Sequence, residues 1–81
     1  MPKNKDLSFS KYEVILTSGY CKPPLEYHIY CDDIKDTSDQ IKMYVYIGKR
    51  RVLHRSAYKD DFIKIQIINL WDGITTIIKE K

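Results

Sequence analysis

Apolar residues recur at every second position over two long stretches of this chain, and that period limits what it can fold into. In Leu25–Cys31, Leu25, Tyr27, Ile29 and Cys31 fall on one side and Glu26, His28 and Tyr30 on the other. In Ile41–Ile47, Ile41, Met43, Val45 and Ile47 alternate with Lys42, Tyr44 and Tyr46. Successive side chains point to opposite faces in a β-strand, whereas a helix returns to the same face every 3.6 residues. Complete alternation is the mark of a strand with one face on a core and one toward water.

The remaining segments fit the same class. Lys11–Ser18 alternates around Tyr12, Val14 and Leu16, and Gly19–Pro24, with two consecutive prolines, ends it as a loop. Asp32–Gln40 reads as a polar connection with room for one helical turn. Gly48–Arg51 reads as a hairpin tip, Val52–Arg55 as the returning strand and Ser56–Asp61 as a connection. Phe62–Trp71 is rich in isoleucine, which favours a strand, and gives no coherent polar face as a helix. Asp72-Gly73 between apolar runs is a strong signal for a two-residue type I′ hairpin. That register sets Trp71 opposite Ile74, Asn69 opposite Thr76 and Ile67 opposite Ile78. It assigns Ile63, Ile65, Ile67, Trp71, Ile74 and Ile78 to the core, and leaves Ile68, Leu70 and Ile77 on the other face. The expected fold is all-β, an antiparallel meander of about six strands forming a small barrel or a curled open sheet.

The chain has 81 residues, 43% hydrophobic and 31% charged, in the range of a single globular domain rather than a disordered segment. So short a chain buries only about 60–65% of its unfolded surface, which favours a binding surface over a deep active site. Residues 1–8 are polar and expected to be a flexible N-terminus, with one domain over 9–81. No apolar run approaches the roughly 18–20 residues of a membrane helix, and the first residues lack the apolar stretch of a signal peptide. The expectation is a cytoplasmic protein with no membrane association, in which Cys21 and Cys31 stay reduced, Cys31 in the core and Cys21 in a loop.

The residues offer little to catalysis. There is no glycine-rich phosphate loop, no His-Glu-x-x-His, no Cys-x-x-Cys and no nucleophile elbow. His54 sits among arginines without an acid/base partner nearby in sequence. Cys21, His28, Cys31 and His54 have no familiar zinc spacing, and the aspartates at 32, 33, 36 and 39 lack the pattern of a calcium loop. No enzymatic activity, cofactor or metal is expected.

Two features point to binding. The net charge is only +3, yet all three arginines, Arg50, Arg51 and Arg55, cluster with Lys49. Guanidinium pairs bidentately with carboxylate or phosphate and stacks on aromatic rings. With Tyr44 and Tyr46 on the neighbouring strand, the cluster forms a candidate partner- or nucleic-acid-binding site. Tyrosine is also abundant, seven against two phenylalanines, as at many interfaces. The tyrosines and the Ile68, Leu70 and Ile77 patch exceed what a lone small sheet readily covers. The leading expectation is a small non-enzymatic protein that docks on a macromolecule, more readily a protein than a nucleic acid, and modulates or inhibits it. Pairing of two copies through the apolar patch is a variant of it. The alternative is a small nucleic-acid-binding β-barrel using the basic hairpin 44–55. A carrier of small anionic ligands within an oligomer is a third class.

Overall fold

The computed structural model describes residues 10–19 and 22–80. The expected flexible segment 1–8 and the loop thiol Cys21 lie outside them. Among the described residues seven strands follow one another: β1 Tyr12–Ser18, β2 Leu25–Cys31, β3 Asp33–Asp36, β4 Gln40–Ile47, β5 Arg50–Tyr58, β6 Lys64–Asn69 and β7 Thr75–Glu80, with a 3₁₀ turn at Lys59–Asp61. They form two antiparallel sheets, β2-β1-β6-β7 and β3-β4-β5. The expected all-β antiparallel class is observed, in the open rather than the closed form. The order departs from a pure meander, because β1 lies between β2 and β6. Among the described residues no helix is long and apolar enough to cross a membrane, which says nothing of spanning by strands.

The two sheets share one run of chain. β2 and β3 are separated by Asp32 alone, so a single extended segment leaves the first sheet and enters the second. Strands that change sheet in this way make the corners of folded β architectures. Asp32 fastens the corner from both ends. Its N–H donates to the Tyr44 carbonyl at 2.8 Å, and its carboxylate Oδ2 accepts the Tyr46 N–H at 2.9 Å.

Between the sheets lies the core: Val14, Leu16, Cys31, Ile41, Met43 and Ile65, all buried. These are alternating positions of β1, β4 and β6, together with Cys31 of β2, and there the period-two reading holds. It fails at strand ends. Leu25 and Tyr27 of β2 are exposed, and so is Ile47 at the end of β4. β3 pairs with β4 only as far as Tyr44, so beyond it β4 and β5 project as a two-stranded hairpin. A residue can point inward there and still meet water.

Three local readings are corrected. The polar stretch 32–40 contains a strand, β3, rather than a helical turn. Ile34 packs on the core and the backbone pairs with β4, so ladder bonds outweigh the poor strand propensity of the aspartates. The tight turn after it is held by Thr37, whose hydroxyl accepts the Gln40 N–H at 3.0 Å. Ser56–Tyr58 is not a connection but the end of β5, paired with Gln40–Lys42.

The β6–β7 hairpin exists, but its loop has four residues, Leu70–Gly73, and not two. The Asn69 N–H donates to the Ile74 carbonyl at 2.8 Å, and Ile67 pairs with Thr76 rather than Ile78. The Asn69 side chain is the reason. Its Oδ1 accepts the N–H groups of Trp71 and Asp72 at 2.9 and 3.3 Å, and its main-chain carbonyl accepts the Gly73 N–H at 2.7 Å. Only Gly73 then needs a positive φ, +80°, where a type I′ turn would also need one at Asp72. Trp71 thus sits in the loop, 71% exposed, and Ile74 is 62% exposed; neither belongs to the core.

Gly19 illustrates a close approach at the end of β1. A β-carbon on it would lie 2.4 Å from Ile63 Cγ2. Gly19→Ala is expected to destabilise the protein by about 1–3 kcal/mol through overpacking. Ile63→Ala should relieve the clash, so that in denaturant titrations the double variant costs less than the sum of the singles. Strict additivity would refute the contact.

Candidate interaction site

The basic hairpin is built by the β4–β5 turn. Gly48 and Lys49 alone form the tip, with Gly48 at φ +65° and Lys49 at an ordinary negative φ, as in a type II′ turn. Arg50, Arg51 and Arg55 are therefore strand residues of β5. Their faces follow from the register: Ile47 opposite Arg50, Tyr46 opposite Arg51, Val45 opposite Val52, Tyr44 opposite Leu53 and Met43 opposite Arg55. A bulge leaves His54 as the extra residue.

The arginines consequently fall on two faces. Arg51 shares the outer face with Tyr44 and Tyr46. Its guanidinium lies 4.4 Å from the Tyr44 ring centroid and donates to Asp33 Oδ2 at 2.9 Å, and that bond raises its pKa. Arg50 and Arg55 share the opposite face with Met43 and Val45. The sequence-based site of Tyr44, Tyr46, Lys49, Arg50, Arg51 and Arg55 is thus not one surface. Nor are the acidic and basic segments separate poles, since Asp33 pairs with Arg51, and Asp36 with Lys59. No local signal in the sequence announces these pairs, which depend on β3 and β5 flanking β4.

The apolar patch is partly as expected and larger. Ile68 is half-buried on the outer face of the four-stranded sheet, with Ile77 exposed on the adjoining strand. Leu70 is exposed in the hairpin loop, where its N–H donates to the Lys11 carbonyl at 2.7 Å. Trp71 and Ile74, assigned to the core from sequence, join it at the hairpin end. The Lys11 ammonium lies 5.3 Å from both the Trp71 and the Tyr12 ring centroids, within cation–π range.

A cleft of about 320 Å³ lies where β2 faces β5, lined by Leu16, Glu26, Tyr27, His28, Ile29, Arg55 and Ser56. Among the described residues no three or more His, Cys, Asp or Glu side chains are grouped to hold a metal. Comparison with known proteins finds no match to a family model, to a curated protein or to a solved structure.

On the cleft's rim His28 is clamped between two carboxylates, Nδ1 at 2.7 Å from Glu13 and Nε2 at 3.3 Å from Glu26. The bond to Glu13 is the main cause of a pKa raised above the ordinary 6.5, with Glu26 adding to it. A raised pKa in the folded state means that the protonated clamp stabilises the β1–β2 pairing. That contribution is fully present below about pH 6.5 and is lost as the pH rises through the folded-state value. The His28 ring protons followed by NMR should titrate above 6.5, and Glu13→Gln should bring the midpoint back down. An unchanged midpoint in that variant would show that Glu13 is not the cause.

Proposed function

We propose that this chain is a non-enzymatic interaction protein that docks on another protein and modulates or blocks it. The observation that carries this reading is the exposed apolar end of the β6–β7 hairpin, where Leu70, Trp71, Ile74 and Ile77 all face water. Small monomers seldom present such a group without a partner to cover it, and tryptophan is the commonest anchor of protein interfaces.

The competing reading, a nucleic-acid surface on the 44–55 hairpin, is weakened by the split of the arginines. Arg51 is already engaged by Asp33 and Tyr44, and Arg50 and Arg55 lie across the sheet from the two tyrosines. Titration with oligonucleotides at low and high salt separates the two. The docking reading expects no strong binding. Tight binding that falls steeply with salt, the mark of phosphate contacts, would overturn it in favour of nucleic acid. Affinity capture from native cells then supplies the protein partner.

A further inference from the structure

The two sheets each end on a strand that borders the same cleft. β2 pairs only with β1 and β5 only with β4, and among the described residues no ladder joins β2 to β5. Among the described residues each therefore offers one strand edge with no strand bonded to it. An open edge is a template for another strand, and an added strand gains main-chain hydrogen bonds whatever its sequence.

The side chains around this seam narrow the choice of ligand. On the core-facing side of β2, Leu25, Tyr27 and Ile29 form a ledge with the two-residue spacing of a strand. Leu25 and Tyr27 are each 46% exposed, because the second sheet does not reach over them. Tyr27 is braced edge-on by Phe62, with ring centroids 6.1 Å apart. Glu26 and His28 on the rim are already paired. Across from them stands Arg55 of β5, whose side chain has no hydrogen bond or ion pair among the described residues. Among the described residues lining the cleft, Arg55 is thus the cation without a partner, and a guanidinium suits a carboxylate. The His54 bulge is what turns Arg55 to this side, away from Arg51.

We infer that the seam is a docking groove for an extended, carboxylate-bearing peptide segment of a partner protein. The segment adds along the free edge of β2, lays alternate apolar side chains on Leu25, Tyr27 and Ile29, and pairs an Asp, Glu or C-terminal carboxylate with Arg55. This rests on the reading of the chain as a protein-docking module and names what that module holds. A polynucleotide suits the seam less well. It cannot continue a β-ladder, and one arginine cannot track a phosphate chain.

The test pans random 12-residue displayed peptides on the full chain. Enriched peptides should be free of proline at their centre and should alternate apolar residues with Asp or Glu. A synthetic version should bind about tenfold or more weakly to Arg55→Glu and to Arg55→Gln, the change expected when a charged hydrogen bond is lost. Arg51→Glu, on the other face, should stay within about twofold. Amide exchange in the complex should slow at Leu25–Ile29. Circular dichroism of each variant separates lost binding from lost folding. Enriched peptides that bind both Arg55 variants as tightly as the native chain, or that protect β7 instead of β2, would overturn the inference. No enrichment at all, while a captured protein partner still depends on Trp71, would overturn the seam and leave the docking reading intact. Salt-sensitive oligonucleotide binding with no protein or peptide partner would overturn both.

Discussion

Replacing Ile65 with alanine is expected to lower the unfolding free energy by about 2–5 kcal/mol. Ile65 is fully buried in β6, paired with Leu16 of β1 on one side and with β7 on the other. Its side chain belongs to the same buried cluster as Ile41 and Met43. Truncation removes the transfer free energy of three carbons and leaves a cavity that the flanking strands cannot collapse, because their ladder bonds hold the spacing. A chain this small has a total stability of roughly 4–12 kcal/mol. The variant should therefore unfold at markedly lower denaturant, or be partly unfolded in buffer. Ile65→Val, removing one methylene, should cost only about 0.5–1.5 kcal/mol. Chemical denaturation of the three proteins gives the comparison. An alanine variant within 1 kcal/mol of the native protein would show that the core is not centred on this residue.

The second large effect concerns binding. Trp71→Ala is expected to weaken the complex with a captured protein partner by about 2–4 kcal/mol, the range for an aromatic anchor. Folding should scarcely change. Trp71 is 71% exposed, and its described ring contact is the Lys11 ammonium, worth about 0.5–1 kcal/mol at an exposed site. Trp71 is also the only tryptophan. Its fluorescence therefore reports this position directly and should shift to the blue when a partner covers it. Native affinity in the alanine variant would remove the hairpin end from the interface, and with it the observation on which the proposed function chiefly rests.

How much of this the sequence revealed depends on whether the physics was local. The bounds of β2 were legible, though not the exposure of Leu25 and Tyr27, and so were the buried positions of β1, β4 and β6, because alternation is written into neighbouring residues. β3 was not legible: four residues with two aspartates form a strand only because β4 supplies the ladder. The hairpin at Gly73 was visible but its register was not. A type I′ turn at Asp72-Gly73 and a longer loop capped by Asn69 both satisfy the glycine, and the asparagine side chain decides between them. That difference moved Trp71 and Ile74 from the expected core to the surface. The candidate site residues were singled out by type, and Ile68, Leu70 and Ile77 lie outside the buried cluster. The arginines were grouped by position in the chain, and a single bulged residue, His54, set Arg55 and Arg51 on opposite sides of the sheet. A bulge leaves no mark in the pattern of apolar residues when every neighbour is charged or half-exposed.

The place of β1 between β2 and β6 has a kinetic consequence. Tyr12 pairs with Asn69 and Thr17 with Lys64, so the first strand meets its second neighbour only after most of the chain has been traversed. The β3–β4–β5 hairpins, closed by short turns, can form early and alone. The pairing of β1 with β6 has to close a long loop before any of its contacts offset the lost chain entropy. Until Lys64–Asn69 joins it, β1 has one edge unpaired. In that interval Val14 and Leu16 lack Ile65, and the folding chain presents an open, apolar strand edge. Conditions that slow the closure of this loop would lengthen the exposure, and with it the opportunity for two chains to pair wrongly.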